Sequence, residues 1–176
     1  YNFKIIEDAS HSLGAVYFSK KVGCCYWSDI TVFSLHPVKI ITTGEGGLCV
    51  TNSKKIYENL LLLKNNGITN NKKKFIFKNL GPWYYEQHQL GYNFRISEIQ
   101  AALGISQLKK LNNFVKKRNQ IAKIYLKNLK HLPIETQKID KNFISTYHLF
   151  IIKLKDKKSH LHLKLFNYLR KKKVTC

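Results

Sequence analysis

The chain has 176 residues, a hydrophobic content of 44% and a formal net charge of +21. That length and apolar share allow one sizeable core or parts of two, and no apolar run is long enough to span a membrane. The charge raises nucleic acid as a partner, but it is nearly all lysine, with arginine only at Arg95, Arg118 and Arg170. Proteins that grip phosphates make more use of arginine's bidentate fork, so solvated surface charge is the preferred account.

In chain order, "FKIIED" is a short apolar run ending in two acids and predicts a buried strand. "GAVYF" follows after a turn. "DITVFSLH" is β-branched and aromatic, and "GGLCVTN" is bounded by glycines and by Thr51-Asn52-Ser53; both predict buried strands. Ser53 predicts the cap of a helix, "KKIYENLLLLKNN", that Gly67 ends. Residues 68–90 are polar, lysine-rich and aromatic, and predict loop. A long helix is expected from Ser97, with Glu98 in its first turn, an apolar face running from Ile99 to Leu129, and a bend near Asn112-Asn113. Beyond Pro133, "YHLFIIKL" predicts a strand and "SHLHLKLFNYLRKKK" a helix. Near-continuous apolar strands mixed with helices point to an α/β layer with a mixed or largely parallel sheet. The expected division is 1–113 for the last portion of a large domain and 114–176 for a linking helix and the start of a small one. Both ends read as cuts through a longer chain.

Cys24, Cys25, Cys49 and Cys176 make no C-x-x-C pair, so a disulfide framework is disfavoured and a reducing cytoplasm is expected. His160 and His162 fall on different sides of their helix, which argues against a metal site.

Two residues carry chemistry. Asp8 ends a strand, and in open α/β sheets ligands bind at the carboxyl ends of strands. A carboxylate there can pair with a protonated ring nitrogen; its alternative is a turn or helix-cap acid. Lys39 lies between "FSLH" and "TTGEGG", whose glycines permit a tight reversal close to a ligand. An amine held near cations or away from water becomes a nucleophile towards carbonyls; the alternative is an exposed loop lysine. His36 is either site-proximal or a packed structural histidine.

"EDASHSLGA", then "SLHPVKIITTGEGG", then "GYNFRISEIQAALG" resemble, in this order, the DegT/DnrJ/EryC1/StrS sugar aminotransferases, fold-type I enzymes that use pyridoxal phosphate. The resemblance implies that Lys39 holds the cofactor covalently and later shuttles a proton. Asp8 would keep the pyridine nitrogen protonated, His11 would lie by the ring, and Ser34 would bind the phosphate. Asn93 would reach the phosphate in the neighbouring subunit of a homodimer, supported by Arg95. "HPVKIITTGEGG", "PWYYEQ" and "ALGISQLKKL" resemble the branch that aminates the C4 keto group of a UDP-linked 4-keto-6-deoxy-N-acetyl hexose for pseudaminic acid, with glutamate as donor. The phosphate-binding turn and ring-stacking aromatic that this family places before "IIED" are not in the chain, so the chain alone is expected to be inactive. Another nucleotide-linked keto sugar is the nearest alternative substrate. A lysine-rich nucleic-acid binder using Lys72 to Lys78 is the alternative from a different class, and no binding motif accompanies that charge.

Overall fold

The computed structural model describes residues 3–78, 81–156 and 158–175. Its central sheet has three strands in the order β1 (Ile6–Asp8), β4 (Ile30–Ser34), β5 (Gly47–Val50). β1 runs parallel to β4 with Asp8 opposite Val32, and β5 runs antiparallel with Gly47 opposite Ser34. The sheet is therefore mixed, with one parallel pair, rather than largely parallel. β4 lies in the middle, and Thr31 and Phe33 on it are buried. β1 and β5 are not the buried strands their apolar composition suggests. Each pairs on one edge only, and Ile6 and Leu48 stay exposed.

"GAVYF" contributes β2 (Val16–Tyr17) to a separate antiparallel sheet with β3 (Lys20–Lys21) and β9 (Phe143–Ile144). The pairing of β2 with β9 ties the end of the chain to its beginning and crosses the expected division at 113. β8 (Ile134–Thr136) and β10 (Ile152–Leu154) form another antiparallel pair. The "YHLFIIKL" strand is thus only β10; the residues before it are irregular.

α1 (Lys54–Leu63) starts where Ser53 accepts the Ile56 N–H. The 68–90 stretch is more ordered than the predicted loop. It holds a hairpin of β6 (Ile68–Thr69) and β7 (Glu86–Gln87), with a 3-10 turn at Lys72–Lys74 between them. Ser97 caps α2 (Glu98–Leu108), with Gln100 reaching back to complete the capping box. The long helix does not bend at Asn112-Asn113. It ends at Leu108 and resumes as α3 (Leu111–Asn128). Of its apolar face, only Val115 and Ala122 are buried, and Ile99 is 84% exposed. α4 (Ser159–Lys171) closes the described chain.

Among the described residues the buried apolar side chains are Ala9, Phe33, Leu35, Ile40, Ile41, Val115 and Ala122. Three of the seven lie in the segment that follows β4 and Phe33 lies on β4 itself, so much of the core sits directly under that segment. Cys25 is held by Thr31, Gly23 and Val50. Cys24, Cys25 and Cys49 are free thiols, and Cys176 lies outside the described residues.

Candidate active site at the end of the central sheet

The segment after β4 is knitted to itself. Leu35 N–H donates to Gly46 O at 2.8 Å and Thr43 N–H to Leu35 O at 3.0 Å. The Thr42 hydroxyl donates to Leu35 O and accepts the Gly44 N–H. The Thr43 hydroxyl donates to Glu45 O at 2.7 Å. Gly44 has a φ of +81°, which an L side chain rarely adopts. At Gly46 a Cβ would stand 2.4 Å from Thr43 Oγ1. Only glycine lets the chain reverse here against the threonine pair. Leu35, Ile40, Ile41 and Thr43 are buried below, and Lys39 is presented half-buried on a turn closed by its N–H to His36 O.

α2 supports this turn from the side. Gln100 Nε2 donates to Glu45 O at 2.9 Å. At Gly104, a Cβ would approach Thr43 Cγ2 to 2.8 Å. The glycine in "ALGIS" therefore leaves room for Thr43 beside the helix.

Because β1 and β4 are parallel and in register, their carboxyl ends open at the same edge. Asp8 leaves one strand and Ser34 the other. Asp8 Oδ1 accepts from both the N–H and the hydroxyl of Ser10. The turn-acid alternative is therefore realised at one oxygen, while Oδ2 has no hydrogen bond among the described residues. The Ser10 hydroxyl and N–H hold the Asp8 carboxyl below the usual carboxylate range, and the charges of His11 and Lys39 add to this. Lys39 and His11 thus act on the acid from the same neighbourhood. Ser34 Oγ accepts the His36 N–H at 3.4 Å, which leaves its own proton to donate.

The other predicted residues stand apart. His36 is exposed, takes the Val38 N–H on Nδ1 and lies 3.8 Å from Glu45. It is not the packed structural histidine of the alternative. Asn93 is exposed and bridges to Asn65, at the far end of α1. Arg95 donates to Asn65 Oδ1 at 3.0 Å, the same residue that Asn93 bridges to. Among the described residues, no group of histidines, cysteines and acids could hold a metal ion.

Two features escaped the sequence. Glu86 is buried and accepts the Ile76 N–H, the Phe77 N–H and the Tyr84 hydroxyl, with His88 Nε2 at 2.7 Å. Burial pushes its carboxyl up, but His88 and the two N–H groups outweigh this and hold it down at about 2. His148 meets His11 ring to ring, with centroids 4.4 Å apart. Beside it a cavity of about 560 Å³ is lined by Ile40, Phe114, Arg118, Tyr125 and Phe150.

The family model described as the DegT/DnrJ/EryC1/StrS aminotransferase family matches residues 1–176. The chain belongs to that family. It is 42% identical over 164 residues to the UDP-4-amino-4,6-dideoxy-N-acetyl-beta-L-altrosamine transaminase of Campylobacter jejuni, which covers 93% of the chain and 37% of that relative. It is 36% identical over 146 residues to the GDP-perosamine synthase of Escherichia coli O157:H7, covering 83% of the chain and 36% of that relative. Among solved structures, Helicobacter pylori PseC, an aminotransferase involved in the biosynthesis of pseudoaminic acid, superposes with a TM-score of 0.80 at 35% identity, over 97% of the chain and 43% of that structure. The fold is the fold-type I architecture of these sugar aminotransferases. The chain spans well under half the length of each of them.

The donor set fits the cofactor expected of the family. A primary amine on a constrained turn, an acid with one uncommitted oxygen and a serine with a proton to give occur at one sheet edge. Lys39, Asp8 and Ser34 would hold pyridoxal phosphate, with His11 beside the ring.

Proposed function

We propose that the chain is the lysine-bearing portion of a pyridoxal-phosphate-dependent aminotransferase that acts in the cytoplasm on a nucleotide-linked keto sugar. The observation that carries this is the convergence of Asp8, Ser34 and Lys39 at the end of one parallel strand pair. When bound, the cofactor supplies an electron sink for the carbon that exchanges its amino group. Lys39 Nζ anchors it and then takes and returns the proton at the reacting carbon. Asp8 Oδ2 holds the proton on the ring nitrogen. The Ser34 hydroxyl donates to the phosphate. Asn93 serves the phosphate of a second copy, which makes the active unit a homodimer. The division at 113 belongs to the same proposal: the turn and its supports form the large domain, and α3 leads into the small one.

In this proposal glutamate is the amino donor. The acceptor is the C4 keto group of a UDP-linked 4-keto-6-deoxy-N-acetyl hexose, and the names of the Campylobacter and Helicobacter relatives support a sugar of this class. The GDP-perosamine synthase likeness favours a second acceptor, a GDP-linked keto sugar.

The test protein is the chain spliced into the corresponding stretch of the longer Campylobacter relative. With pyridoxal phosphate and borohydride it is expected to carry one cofactor, fixed on Lys39 and located by peptide mass. Lys39→Ala is expected to lose it completely. A cofactor still fixed in Lys39→Ala would reject the assignment, and preference for the GDP-linked sugar would select the second acceptor.

A further inference from the structure

His148 lies in an irregular segment that is bolted down on two sides. Asn119 Nδ2 on α3 donates to Ser145 O at 2.8 Å, and Arg118 Nη1 donates to Tyr147 O at 3.0 Å. On the other side the Thr146 hydroxyl donates to His11 O at 2.9 Å. Tyr147 has a φ of +45°, an uncommon conformation for a bulky residue. The consequence of these restraints is a fixed place for the next side chain. The His148 ring rests against the His11 ring at an interplanar angle of 49°. Its Nδ1 is buried and has no hydrogen-bond partner among the described residues. Folds seldom retain such an atom, and each instance calls for an explanation.

The groups facing the ring are His11, with Asp8 behind it on the same loop, Lys39 from the turn and Arg118 from α3. Burial lowers the affinity of His148 for a proton, and His11, Lys39 and Arg118 lower it further. A charged ring is therefore disfavoured here by burial and by its neighbours.

We propose that His148 is a positioning residue: its ring packs on His11 and sets the tilt at which that imidazole meets the cofactor. This rests on the pyridoxal phosphate reading of the site. It also makes the 145–148 segment a working wall of the site, supplied by the far end of the chain. An aromatic ring contact of this kind is worth about two- to tenfold in an equilibrium constant.

The test has two readouts. The first is taken on the full chain without cofactor, with histidine-labelled protein. A through-space NMR contact between the His11 and His148 rings is expected, and its absence overturns the proposal. The second uses the spliced protein and measures the dissociation constant of pyridoxal phosphate. His148→Gln is expected to weaken binding about two- to tenfold. His148→Phe, which keeps a flat ring, is expected to restore it to near the parent value. Equal losses in both variants, or no loss in His148→Gln, overturn the positioning role. A parent protein that binds no cofactor sinks the site assignment instead, and that failure is separable because the ring contact is read without cofactor.

Discussion

The segment from Ser34 to Gly47 and the segment from Leu90 to Ile99 are both short connectors, yet they treat their side chains in opposite ways. The first folds inward. Leu35, Ile40, Ile41 and Thr43 are buried, and its threonines and glycines satisfy one another. The second turns outward. Leu90 is 86% exposed, Phe94 70% and Ile99 84%, although its backbone is held to the end of α1 by Tyr92 N–H to Leu63 O and Phe94 N–H to Lys64 O. The first segment is packed on its own core; the second has an ordered backbone whose apolar side chains no described residue covers.

Ways to break this contrast follow from the largest effect to the smallest. Asp8→Asn in the spliced protein is expected to leave cofactor trapping on Lys39 intact and to cut turnover by about 10²–10³-fold, the range seen when one preorganised electrostatic partner is removed. Near-parent turnover would remove Asp8 from the chemistry.

Mixing Lys39→Ala with Asn93→Ala addresses the second segment. If Asn93 serves a partner's site, each mixed dimer has one site with both lesions and one with neither. Random exchange is then expected to restore about a quarter of parent activity. Confirmed exchange with no recovery would place Asn93 within its own subunit.

The Glu86 cluster sharpens the contrast by asking what holds the outward segment in place. Its folded value of about 2 lies below the ordinary 4.5. A depressed acid contributes stability that is fully present above its unfolded value and is lost as pH falls through the folded one. The melting temperature is expected to fall between pH 4.5 and about 2, and Glu86→Gln is expected to be less stable at neutral pH and flatter across that window. An unchanged slope would show that the cluster does not hold the hairpin. The smallest effect lies at the joint between the two segments. Gly104→Ala gains about 1 kcal/mol of helix propensity but drives a methyl against buried Thr43, and overpacking costs about 1–3 kcal/mol. A slight net destabilisation by denaturant titration is expected, and a clear stabilisation would mean that α2 does not press on the turn.

The parts legible in the sequence were local. Ser53 and Ser97 cap helices because a cap needs only its own next three residues. Lys39 and its glycines were legible because the turn is built almost wholly from threonines and glycines within it. Burial was harder. Ile6, Leu48 and Ile99 have core composition but lie on strand edges or helix faces that nothing within the described residues covers, and composition does not say who the neighbour is. β8 and β9 are three and two residues long, too short for any alternation to register. Glu86 sat in a polar stretch with no local sign that backbone N–H groups from ten residues away would gather on it. His148 gave only a lone histidine amid apolar residues, and its partner is 137 positions earlier.

The bond from Thr146 to His11 also sets an order of events. It closes a loop of 135 residues, and such closures are late because their entropy must be met before the contact repays it. A chain emerging from the ribosome forms the Lys39 turn from its own neighbours early. The loop carrying His11 has to wait for the 145–148 segment to be made. Synthesis therefore delivers Lys39 and its turn well before the 145–148 segment, so that until then a nascent chain has an amine without its finished surroundings.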